Sequence, residues 1–173
     1  MNAGAFLGLV LSLYTFVLYK KGILVSSSGL GIVNYILILA GLFYAVRYYR
    51  DKFQEGYISY SEAVKFSVVV SLFASILLGF FTYILYKYID VSLMGQMFEF
   101  QEKTLLDAGT SEEEVEKMME LVKIATTPGL LFFTTILGTT IVGTIISLIN
   151  SIFLKRIQNP FDKAMSEIKE DQN

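Results

Sequence analysis

The sequence predicts an all-α integral membrane protein with four transmembrane helices and an amphipathic helical hairpin between the third and the fourth. Three observations carry this. Of the 173 residues, 54% are hydrophobic and 17% are charged, whereas a soluble domain carries roughly 25% charge. Stretches 1–19, 22–46, 66–86 and 124–154 contain no Asp, Glu, Lys or Arg, and a bilayer core of about 30 Å takes roughly 20 apolar helical residues. Between the last two runs lies "DAGTSEEEVEKMMELVKIATTP", residues 107–128, punctuated as a water-facing helix.

The first span covers about 3–19 and ends at Lys20, Lys21 and Gly22. The basic pair follows the apolar stretch and no basic region precedes it, which favours an uncleaved span over a signal peptide. Span two, about 30–49, starts after the turn-forming Ser26, Ser27, Ser28 and Gly29 and closes on "RYYRDK". Ser61 offers an N-cap for a helix that begins near Glu62 and forms span three, about 62–88. Span four, about 128–154, has Thr127 as a cap and Pro128 in its first turn. Its length of about 40 Å obliges it to tilt or protrude. The spans make one domain, 1–156, followed by a short polar tail, 157–173.

The intervening segment reads as two helices over about 92–125. Ser111 and Glu114 have capping-box spacing, the acidic first turn suits the helix dipole, and Gly109 suits the end of a preceding helix. Val115, Met118, Met119 and Val122 recur at i, i+3, i+4 and i+7 and give the second helix an apolar face opposite an acidic one. So charged a hairpin belongs at the membrane interface, its apolar side against lipid or the spans, or offered as a partner-docking face.

Orientation follows from the basic residues. Arg47, Arg50, Lys52, Lys65, Lys155, Arg156, Lys163 and Lys169 flank one side, and six lysines are spread over the other. The positive-inside rule makes the first side cytoplasmic, with both termini inside and the hairpin external.

The chemistry sought is mostly missing. There is no cysteine and no histidine, so the usual general base and the commonest metal ligands are absent. Asp90, Glu99 and Glu102 lack a closed ligand-loop pattern, and no catalytic residue, cofactor or metal is expected. A net charge of −2 without a basic cluster interleaved with aromatics sets nucleic acid aside. No charge sits mid-span, which argues against ion-coupled transport. Asn34 and Asn150, near span ends, read as interhelical hydrogen-bonding residues. Arg47, Arg50 and Lys52 read either as part of a solvated salt-bridge set with Glu62 and Lys65 or as a contact for a lipid phosphate.

Small residues form the most informative pattern. Gly4 and Gly8 lie four apart in span one, Ser75 and Gly79 in span three, and Thr135, Thr139, Gly143, Ser147 and Ser151 make an i+4 ladder in span four. Such stripes let helix backbones approach closely in lipid. They imply packing inside the bundle, with a homodimer seam as the alternative; span one or span three is the expected partner of span four.

The glycine-bearing first span, "RDKFQEGYISYSEAVKFS" leading into span three, "AGTSEEEVEKM" in the polar segment and "GTIISLINSIFLKR" at the end of span four form a recognisable order. In these motifs the chain resembles the uncharacterised bacterial membrane family called domain of unknown function 4199, found mainly in Bacteroidetes. The resemblance implies a four-span inner-membrane protein without assigned catalytic residues, and an association with membrane glycosyltransferases that use lipid-linked sugars. The chain departs from the family by lacking basic residues before span one. The expectation is a non-enzymatic interaction or accessory subunit in contact with membrane lipid and a membrane-protein partner. The alternative is a small transport or lipid-flipping component.

Overall fold

The computed structural model describes residues 2–25 and 30–157, Leu30 by its backbone only. The predicted turn at 26–29 and the tail from residue 158 lie outside the described residues. The helices are α1 (Asn2–Lys20), α2 (Leu30–Phe53), α3 (Tyr60–Ile84), α4 (Ser92–Asp107), α5 (Glu112–Ala125) and α6 (Pro128–Leu154), with a π-helical turn, Leu85–Ile89, continuing α3. Four of them are long and apolar enough to cross a membrane: α1, α2, α3 with its π turn, and α6. Helices α4 and α5 form the hairpin between the last two spans.

Local chemistry sets the ends. Helix α2 stops where Gly56, at φ 83°, turns its N–H back to the Arg50 carbonyl at 2.9 Å, a conformation that costs glycine little. The cap of α3 is Ser59, not the expected Ser61. Ser59 Oγ accepts from the Glu62 N–H, and Glu62 Oε2 receives the Ser59 N–H at 3.0 Å. Both serines precede the apolar run, but only Ser59 stands three residues before a glutamate, so only it completes a box. Gly109, at φ 86°, ends α4. Ser111 Oγ accepts from the Glu114 N–H at 3.4 Å, yet the return bond from Ser111 N–H to the Glu114 carboxylate is not found among the described residues, so half of the expected box forms. Thr127 Oγ1 caps α6 through the Leu130 N–H at 3.2 Å.

The spans form a ring in the order α1, α3, α6, α2. Helix α3 therefore lies between α1 and α6. Leu7 and Leu11 of α1, Ile38 and Leu42 of α2, and Val70, Ala74 and Leu78 of α3 form the apolar centre, with Val142 and Ile146 of α6 against it. One end of the bundle carries Arg47, Arg50 and Arg156, and the other carries the hairpin. At the arginine end Val46, Ile58, Ala63 and Leu154 form a second cluster. There Ile58 and Arg156 exchange backbone hydrogen bonds of 2.9 Å in both directions, tying the α2–α3 loop to the chain beyond α6.

Candidate functional site

The small-residue stripes explain how the spans meet. A Cβ on Gly143 would collide with the Ser71 side chain, 2.7 Å from its Cβ, and one on Gly79 would lie 3.1 Å from the Phe132 carbonyl. These glycines bring α3 and α6 together, and Ser75 Oγ and Thr140 Oγ1 hydrogen-bond across the seam at 2.9 Å. Gly4 and Gly8 pack on another side of α3, where added Cβ atoms would lie 2.9 Å from the carbonyls of Val70 and Ala74. The two stripes thus both serve α3, and α3, not α1, is the principal partner of the ladder. Thr140 escaped the i+4 pattern, although it lies beside Thr139 on the same helix.

The ladder divides along its length. Gly143, Ser147 and Ser151 are buried, and beside them Asn150 Nδ2 donates to the Leu39 carbonyl at 3.2 Å. Thr139 and Thr135, one and two turns from Gly143 toward the hairpin, instead line an open recess of about 390 Å³ to which all four spans contribute residues. Its polar lining is Thr15 from α1, Asn34 and Tyr35 from α2, Thr82 from α3, Tyr86 from the π turn, and Thr134, Thr135 and Thr139 from α6. Ile38, Leu78 and Val142 lie at its foot, where the apolar centre begins. Asn34 Oδ1 is shut off from solvent without a donor among the described residues. The lining contains hydroxyls, one amide and no charged side chain, an arrangement suited to binding through hydrogen bonds. The sequence marked Asn34 as an interhelical hydrogen-bonding residue, a bond its Oδ1 does not make among the described residues, and Thr135 and Thr139 as helix-packing residues; nothing in their spacing shows that they converge on Thr15 and Thr82.

At the arginine end the basic residues are partly engaged. Arg50 Nε is 2.7 Å from Asp51 Oδ1, and Arg50 Nη1 donates to the Leu154 carbonyl at 3.2 Å, closing α2 onto the end of α6. Arg47 Nε lies 3.7 Å from Asp51 Oδ2 with its side chain exposed, and Lys52 is exposed. Glu62 is spent on the cap of α3 and makes no ion pair with Lys65, Arg47 or Arg50 among the described residues. A phosphate at this end would meet Arg47 and Lys52 more readily than Arg50.

A sequence model of the family described as "Protein of unknown function (DUF4199)" matches residues 2–156. The chain belongs to the DUF4199 family. No curated protein and no solved structure matches it. The match ends at the residue that pairs with Ile58 and so includes every span and the hairpin.

The hairpin of this DUF4199 chain splits the apolar face read from its sequence. Val115 and Met119 are buried and Val122 half-buried, whereas Met118 is 48% exposed. Leu121 and Ile124, outside the predicted set, are 69% and 73% exposed and continue the uncovered edge from Met118. The apolar arc of α5 is wider than one neighbouring helix can cover. Asp90, one of the carboxylates weighed as a ligand, accepts the N–H of Ser92, the first residue of α4, at 3.0 Å and its hydroxyl at 2.6 Å. Among the described residues no three His, Cys, Asp or Glu side chains converge as a metal site.

Proposed function

We propose that this membrane protein is a non-enzymatic accessory subunit whose hairpin, external to the cytoplasmic membrane, docks on a membrane-protein partner. The observation that carries the proposal is the uncovered strip of Met118, Leu121 and Ile124, which adjoins the acidic residues of an otherwise water-adapted helix. Apolar side chains in a row beside charge favour a surface that is part apolar and part basic. A glycosyltransferase as partner rests on the family resemblance alone. The arginine distribution supports the cytoplasmic placement of both termini.

One experiment tests docking and orientation together. A membrane-impermeant, thiol-reactive photo-cross-linker is applied to intact spheroplasts carrying Leu121→Cys, Glu113→Cys or Lys155→Cys. Both hairpin cysteines take the reagent, Lys155→Cys does not, and illumination of the Leu121→Cys protein gives one discrete protein adduct. Adducts to lipid alone would end the accessory reading; an adduct of twice the chain mass would make the partner a second copy. Labelling at Lys155→Cys alone would reverse the orientation.

The recess favours a second reading, a lipid-handling component. It lies toward the hairpin end and stops at the apolar centre, so on this reading a headgroup would be held on one side without being passed through.

A further inference from the structure

Independently of the docking role, we propose that the recess between the hairpin halves of the spans binds a neutral, polyhydroxylated group, the headgroup of a bilayer lipid or the free polyol. The state of its hydrogen-bonding groups carries the inference. Thr15 Oγ1 donates to the Leu11 carbonyl and Thr82 Oγ1 to the Leu78 carbonyl, each at 2.9 Å. Their protons are committed to their own helices, and what they turn outward are lone pairs. Asn34 adds an amide: its Oδ1 is closed off from solvent with no donor among the described residues, and its Nδ2 carries two N–H donors. Lone pairs and N–H donors side by side call for a ligand whose groups both give and take protons. The hydroxyls of Tyr86, Thr135 and Thr139, which make no hydrogen bond to another described residue, can give or take a proton and so complete the pattern that hydroxyl groups need.

Charge narrows the chemistry further. No Lys, Arg, Asp or Glu lines the recess, and a phosphate or ammonium lodged there would stand unpaired at high cost. A neutral group with several hydroxyls meets both conditions. Its volume lies at the small end of ligand pockets, of order 300–1,000 Å³, which suits a headgroup and not a whole lipid.

The opening fits entry from the bilayer. The interhelical hydrogen bonds that join α2 to α6, from Asn150 to Leu39 and from Arg50 to Leu154, all lie toward the arginine end. Toward the hairpin, Tyr35 of α2 and Thr134 and Gly138 of α6 line the recess and are exposed. A Cβ on Gly138 would meet nothing within 4 Å. A headgroup can pass sideways between α2 and α6 while its acyl chains stay outside against exposed Leu137 and Ile141.

The test uses the purified full chain in phosphatidylcholine nanodiscs doped with monoglucosyl-diacylglycerol, with bound lipid counted by native mass spectrometry. The expected result is one glucosyl lipid retained per chain in preference to phosphatidylcholine. Asn34→Leu and Thr139→Val should each weaken that retention about tenfold, because each leaves a ligand hydroxyl unpaired. Thr144→Val, on the same helix but outside the recess, should leave it unchanged, and thermal melting shows which variants are folded; should Asn34→Leu not fold, Thr139→Val carries the comparison. Free glucose separates the sources: displacement of the lipid adduct makes the polyol alone sufficient, and persistence of the adduct makes the lipid the ligand. Equal retention of phosphatidylcholine, no adduct on the folded chain, or equal effects of Thr139→Val and Thr144→Val would overturn the proposal.

Discussion

The two halves of the bundle are built from the same residue types and put them to opposite uses. Toward the arginine end, Ser71, Gly143, Ser147 and Ser151 are buried in helix contacts. Toward the hairpin, Thr15, Thr82, Thr135 and Thr139 stand around an opening. In lipid, helices associate through close approach and hydrogen bonds, because lipid tails are as apolar as leucine. A hydroxyl on a side chain as small as serine lets backbones close. Where the helices diverge, as α2 and α6 do at the recess, a threonine hydroxyl becomes a lining group instead.

That contrast can be broken most severely at Gly143. Gly143→Leu must displace Ser71, and overpacking of this kind costs about 1–3 kcal/mol. Ile141→Leu and Ile145→Leu, both on the exposed side of α6, should melt within a degree or so of the parent, since surface changes stay within about 0.5 kcal/mol. Thermal unfolding in detergent reads the difference, and equal melting of all three would mean that no close seam exists. A smaller effect is expected from Asn150→Leu, which removes the bond to the Leu39 carbonyl. Intramembrane hydrogen bonds contribute about 0.6 kcal/mol on average, and the same melts should show a modest loss, well short of that for Gly143→Leu. Smallest of all should be Thr135→Val with Thr139→Val, at under about 0.5 kcal/mol, because these hydroxyls hold no other described residue. A loss as large as that of Gly143→Leu would place them in a seam after all.

Much of this architecture is legible in the sequence, and the reasons differ by level. The spans are legible because each is a charge-free run whose length matches a bilayer, and Gly109, Thr127 and Pro128 announce their turns and caps by residue type alone. The cap of α3 was legible too, since Ser59 and Glu62 have the box spacing; the competing Ser61 obscured it. The π turn at Leu85–Ile89, which holds Tyr86 at the recess, has no sequence signature. The recess depends on how far α2 and α6 diverge, and residues as distant as Thr15 and Thr139 meet there only through the fold. For the same reason the apolar positions of α5 could be recognised but not divided into the buried Met119 and the exposed Met118: that division depends on the width of α4, not on α5.

The exchange of hydrogen bonds between Ile58 and Arg156 sets an order of events during synthesis. Ile58 lies in the loop between the second and third spans, and its partner follows the fourth. Helices α1, α2 and α3 can enter the membrane and pack while that loop still has an open edge. Only when the last span has been inserted does the chain deliver the residue that closes it, together with the Leu154 carbonyl that receives Arg50. Contacts so distant along the chain form late, so a chain cut short before Arg156 would display an unpaired loop edge at the arginine end, open to any protein that surveys unfinished membrane proteins.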